Sequence, residues 1–184
     1  MEPGRPRKRI PLSVQSQMML LRGNLEGIEG LGRATSRLML STGVHPVVLE
    51  QPEKHALQWD EFYYSYRRPK KKSNNLVQGV WSAAMREPGV LDTIGSKLGR
   101  SKRWYLHCVV EAGKDAQLSG ILNLNQLRST MFVNRARLGH HILDISHSTS
   151  TSMPVIAQNY TFGMADRKRL TQSELDWLSW LMEG

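Results

Sequence analysis

The sequence predicts an α+β fold: a helical N-terminal half packed on an antiparallel β-sheet and closed by a C-terminal helix. Three observations carry that expectation. Apolar residues recur at helical spacing through residues 12–98. Residues 100–163 break into short runs rich in β-branched and aromatic residues, each ended by Gly, Asn, Asp, Ser or Thr. Near the end, Thr171-x-x-Glu174 reads as a capping box in front of an apolar stripe. A chain of 184 residues is long enough for one domain with a true core and short for two.

Residues 1–11 hold three prolines, one glycine and four cations, the composition of a disordered basic tail. Residues 12–184 are expected to form a single α+β domain. Its first helix runs from Leu12 to Arg22 and stops at Gly23. A second places Leu25, Ile28, Leu31, Thr35, Leu38 and Met39 near helical spacing, with Asn24 as a cap and Gly43 as a stop. Gly27, Gly30 and Gly32 each cost about 1 kcal/mol relative to Ala inside a helix. That helix therefore needs packing partners, or uses its small residues for close approach by another backbone.

Val44–Leu49, interrupted by Pro46, reads as an edge strand or extended linker. Trp59, Phe62, Tyr63 and Tyr66 fall at i, i+3, i+4 and i+7 and predict a helix ended by Pro69. Leu76, Val80, Trp81, Ala84 and Met85 predict another, followed by a turn through Val90, Leu91, Ile94 and Leu98. The β-rich part then opens with Trp104, Leu106, Cys108 and Val110 on one face of a strand. Leu118–Leu124 pairs back on it, and a third strand sets Arg135 and Arg137 on the same face as Met131 and Val133. Residues 171–182 form the closing helix, with Trp177 and Trp180 beside the stripe of Leu175, Leu178 and Leu181.

Charge points to function. Twenty-five Lys and Arg against sixteen Asp and Glu give a net charge of +9 and a pI near 10, a balance suited to a polyanionic partner. Residues 5–9, 67–72, 97–103, 128–137 and 167–169 supply nineteen of those cations. Clustering matters because phosphate binding depends on several cations acting together, each releasing condensed counterions. Aromatic neighbours (Tyr64 and Tyr66 beside Arg67 and Arg68, Trp104 and Tyr105 beside Arg103) suit base stacking. The sequence therefore predicts non-catalytic RNA binding. Arg67, Arg68, Lys70, Lys71, Lys72, Arg100, Lys102 and Arg103 are the phosphate contacts, with Arg135 and Arg137 behind them. RNA is favoured over duplex DNA because no zinc-finger spacing, basic zipper or helix-turn-helix is present.

No enzyme, cofactor or metal is expected. His107 and Cys108 are adjacent and would point to opposite faces of a strand, as would His140 and His141, so one tetrahedral site cannot readily use both members of either pair. His141, Asp144 and His147 lie near many serines, but no serine sits in a nucleophile-elbow pattern. The alternative to RNA binding is a structural or adaptor protein, of the matrix or accessory viral type. It would self-associate or hold a protein partner through Trp177 and Trp180, its basic face meeting membrane lipid or ribonucleoprotein. One cysteine excludes an intramolecular disulfide, and no apolar run is long enough for a membrane span. An intracellular location, cytoplasmic or nuclear, is expected, with the basic start resembling a nuclear-localisation patch.

Overall fold

Helix α2 (Gly27–Thr42) is the axis around which the chain is wound. The computed structural model describes residues 10–69 and 75–184. Every residue from Gly30 to Val44 is buried, and α2 is packed by α1 (Val14–Leu21), α4 (Val90–Gly95), α5 (Lys102–Asp115), α6 (Leu124–Arg137) and α9 (Gln172–Met182). Each Leu buried this way contributes about 1.5–3 kcal/mol, against about 0–1 kcal/mol for an exposed ion pair. The apolar flank of α2 therefore outweighs the surface charges in holding the fold.

The expected α+β class holds in its coarse form: the described residues form nine helices and a three-stranded antiparallel sheet, in the order β1-β2-β3. The sheet, however, is not where the sequence places it. Residues 100–163 contain no strand. They form α5, α6, α7 (Ile142–Thr149) and α8 (Met153–Arg167). In α5 the buried set is Tyr105, Cys108, Val109, Ala112 and Gly113, which follows a helical stripe at i, i+3, i+4, i+7 and i+8. The strand-like alternation of Trp104, Leu106, Cys108 and Val110 overlaps that stripe only at Cys108. Side-chain caps begin these helices: Ser101 accepts from Trp104 N–H and Asn123 from Gln126 N–H.

The sheet lies instead in the segment predicted to be helical. Strands β1 (Gln58–Trp59), β2 (Tyr63–Arg67) and β3 (Leu76–Val80) form it, with Tyr64 opposite Gly79 and Arg67 opposite Leu76. Tyr64 and Tyr66 point inward while Tyr63, Ser65 and Arg67 face out, a period of two that competes with the helical spacing of the same aromatics. The Asp60 carboxylate closes the β1–β2 turn by accepting from the N–H groups of Phe62 and Tyr63 at 2.8 and 2.7 Å. Val44–Leu49 is not extended either: Pro46 opens a short helix, α3 (Pro46–Glu50), where its missing N–H costs nothing.

Two helices in residues 12–41 are present as expected, and Gly43 ends α2 at φ 66°. The last helix matches closely, with both halves of its capping box formed between Thr171 and Glu174. Gly32 explains the small residues of α2: a Cβ there would stand 2.0 Å from the Cys108 carbonyl oxygen, so α2 and α5 touch backbone to backbone. Gly163 does the same for α8 against Val133 and Ala136 of α6. The basic start of the chain lies largely outside the described residues.

Candidate polyanion interface

Two exposed basic groups flank α3. The first follows from β2, whose alternation turns Arg67 outward, with its guanidinium near Asn75 Oδ1 at 3.5 Å. Arg68 is half-buried; its Nε donates to His45 Nε2 at 3.2 Å, and its Nη1 donates to the Ser150 carbonyl. Lys70, Lys71 and Lys72 follow two to four positions later in the chain and lie outside the described residues.

The second group opens α5. Arg100 is exposed and lies over the Trp104 ring, 5.0 Å from its centroid. Lys102 and Arg103 are the first two residues of the helix, both exposed. Helix α3 stands between the groups: His45 at its N-terminal end meets Arg68, whereas Leu49 O accepts from Gly99 N–H and Glu50 Oε2 from Lys102 N–H. Five residues at 1.5 Å each make α3 only about 7.5 Å long. Arg68 and the start of α5, more than thirty positions apart in the chain, thus meet opposite ends of one short helix.

The other sequence-predicted cations are inside. The Arg137 side chain is 2% exposed, and its Nε meets Asp166 Oδ2 at 2.7 Å. Its Nη1 donates to Leu12 O and Asn134 Oδ1. Burial, partly offset by Asp166, holds its pKa below the usual arginine value. Arg135 is half-buried, with Nε on Met131 Sδ at 3.3 Å and Nη2 on Ser41 O at 3.4 Å. Neither belongs to the exposed groups.

Tyr64 and Tyr66 are 8% and 3% exposed, and Tyr105 is 2% exposed, so these rings are core rather than stacking platforms. Burial pushes the Tyr105 hydroxyl up to about 12. In the sheet segment the exposed aromatic rings are those of Phe62 and Tyr63, the latter 60% exposed. Tyr63 shares the outer face of the sheet with Arg67. An open groove of about 610 Å³ crosses that face, lined among others by Gln58, Tyr63, Ser65, Gln78 and Val80.

Trp177 and Trp180 pack on each other at 5.7 Å, half-buried against the core. Arg37 lies over Trp180 at 5.1 Å, and Trp180 O accepts from Ala84 N–H. Both rings are engaged by their own chain.

One grouping escapes a linear reading. Arg128 has its Nε on Gly43 O at 2.9 Å and its guanidinium 5.2 Å from the Phe132 ring centroid, while Arg135 and Arg68 are tied to the neighbouring Ser41 and His45. Burial pushes the Tyr66 hydroxyl up, and the charges of Arg128, Arg68 and Arg135 act against that rise. The ion pairs of the described residues are Arg33–Asp115, Arg37–Glu87, Lys114–Glu111, Arg137–Asp166 and His140–Glu183, and none includes these arginines.

Among the described residues, no three His, Cys, Asp or Glu side chains gather as a metal site would require, and no helix is long and apolar enough to cross a membrane. Comparison with protein-family models, with curated proteins and with solved structures finds no match to this chain.

Proposed function

We propose that this chain is a non-catalytic RNA-binding protein. It holds phosphates on Arg67, Arg100, Lys102 and Arg103, extended by Arg68 and by Lys70, Lys71 and Lys72 of the same basic stretch. The observation that carries this reading is a set of exposed cations that form no ion pair among the described residues. Arg33, Arg37, Lys114 and Arg137 have carboxylate partners. Arg67, Arg100, Lys102 and Arg103 are exposed and take part in none of the ion pairs of the described residues.

The start of α5 adds support. A cation in the first turn of a helix opposes the macrodipole at about 0.3–1 kcal/mol, yet Lys102 and Arg103 occupy that turn. Glu50 already accepts from the Lys102 N–H and Ser101 from that of Trp104, so an incoming phosphate would be met by the two side chains. The exposed ring of Tyr63, on the same sheet face as Arg67, suits a single-stranded base.

The test is a filter-binding titration of single-stranded RNA across a series of salt concentrations. Replacing Arg67, Arg100, Lys102 and Arg103 by Gln should lower the slope of log K against log salt by about 3, at about 0.7 per phosphate contact. RNAs of different sequence should weaken alike. An unchanged slope, or a loss confined to one sequence, would refute the proposal.

A further inference from the structure

We propose that Arg68, Arg128 and Arg135 together bind one phosphate group, held between the end of β2 and the outer flank of α6. The three come from distant positions, yet they are anchored along one short stretch of chain, Arg135 on Ser41 O, Arg128 on Gly43 O and Arg68 on His45 Nε2, and none is fully buried. Arg128 and Arg135 are seven residues apart on α6, two turns along nearly the same face.

Among the described residues their bonds are to neutral acceptors: the carbonyls of Gly43, Ser41 and Ser150, His45 Nε2 and Met131 Sδ. Gly43 and Ser41 belong to the C-terminal end of α2, whose dipole is equivalent to about half a negative charge. That offsets only a fraction of three guanidinium charges. The carboxylate that Arg135 feels is Glu183, which pairs with His140 instead. Burial, and after it the Arg68 charge, pulls the Arg128 pKa below its usual value.

Such a cluster is unfavourable on its own and favourable around an oxyanion. Both Nη groups of Arg128 and Nη1 of Arg135 have no acceptor among the described residues, so planar N–H pairs remain to grip phosphate oxygens. The site shares Arg68 with the basic groups beside α3 but differs in what it requires: three semi-enclosed guanidinium groups and one phosphate, with no base and no strand.

Thermal unfolding of the full chain in sodium phosphate, against sodium chloride at equal ionic strength, tests it. Phosphate at ten times its Kd should raise Tm by about 3–6 °C. Arg128→Gln should abolish that rise, whatever its baseline Tm after losing the Gly43 carbonyl bond. Equal wild-type Tm values in the two salts, or a rise that persists in Arg128→Gln, would overturn the proposal. A ³¹P NMR titration of wild-type protein needs no variant: line broadening that saturates supports the site, and its absence refutes it.

The source of the phosphate is read by competition. Inorganic phosphate that displaces single-stranded RNA at constant ionic strength, with weaker RNA binding by Arg128→Gln, assigns a backbone phosphate. Saturable phosphate binding that leaves RNA untouched assigns a free one. If the chain binds no RNA, the Tm comparison still decides this site by itself.

Discussion

Arg137 shows what it takes to keep a charge out of water. Asp166, Leu12 O and Asn134 Oδ1 take hydrogen bonds from its guanidinium at 2.7, 2.9 and 3.0 Å. Removing one partner of a buried pair typically costs about 3–5 kcal/mol, because the other is left charged and desolvated. Asp166→Ala should therefore lower unfolding stability by that amount in a urea titration. Arg137→Met combined with Asp166→Ala should cost less than the single change. Acid should act through two other carboxylates. Asp60 accepts chiefly from Tyr63 N–H and Glu174 chiefly from Thr171 N–H, so both titrate below their usual range in the folded chain. The stability they supply is present above their unfolded pKa values and disappears as pH falls through the folded ones, beginning near pH 4. Asp60→Ala with Glu174→Gln should flatten stability against pH below about 4, as followed by thermal unfolding.

At the scale of elements, the contact between α2 and α5 is set by Gly32. Gly32→Ala should force the helices apart or cost more than about 3 kcal/mol, in the range of severe core substitutions. Gly99→Ala makes the contrast: at φ 87° with open space around it, it should cost only the about 1–2 kcal/mol of a left-handed backbone. Chemical denaturation of the two variants checks the difference. The last helix was legible because its signals are local: Thr171 and Glu174 announce it three residues apart. The hairpin was not, because Trp59, Phe62, Tyr63 and Tyr66 fit both a helical and an alternating period, and only the burial of Tyr64 and Tyr66, with Tyr64 against Trp81, decides between them. Helix α5 was misread for the converse reason. Val109 and Val110 have strand propensity, but burial of Tyr105, Cys108 and Ala112 against α2 overrides it.

For the molecule as a whole, the sequence announces the quantity of charge and hides its placement. Runs such as Lys70–Lys72 stand out by adjacency, yet whether an arginine is solvated or internal depends on the element that carries it. Read on a strand, Arg135 and Arg137 share a face with Met131 and Val133; on α6 they diverge, and Arg135 aligns with Arg128 instead. The exposed pair that opens α5 gives a prediction with two opposite signs. Arg103→Glu should raise thermal stability slightly, by relieving the helix dipole, and should weaken RNA binding. A variant that loses both would place Arg103 in the architecture rather than at the interface.

The anchoring of Leu12 sets where a shortened chain can begin. Its N–H donates to Thr130 Oγ1, its carbonyl accepts from Arg137 and from Gln17, and the preceding Ile10 carbonyl accepts from Gln126. A fragment starting at Ile10 keeps every one of these ties. One starting at Ser13 strips an acceptor from the interior guanidinium, so the two residues just before the first helical turn carry a tie that the helix itself does not.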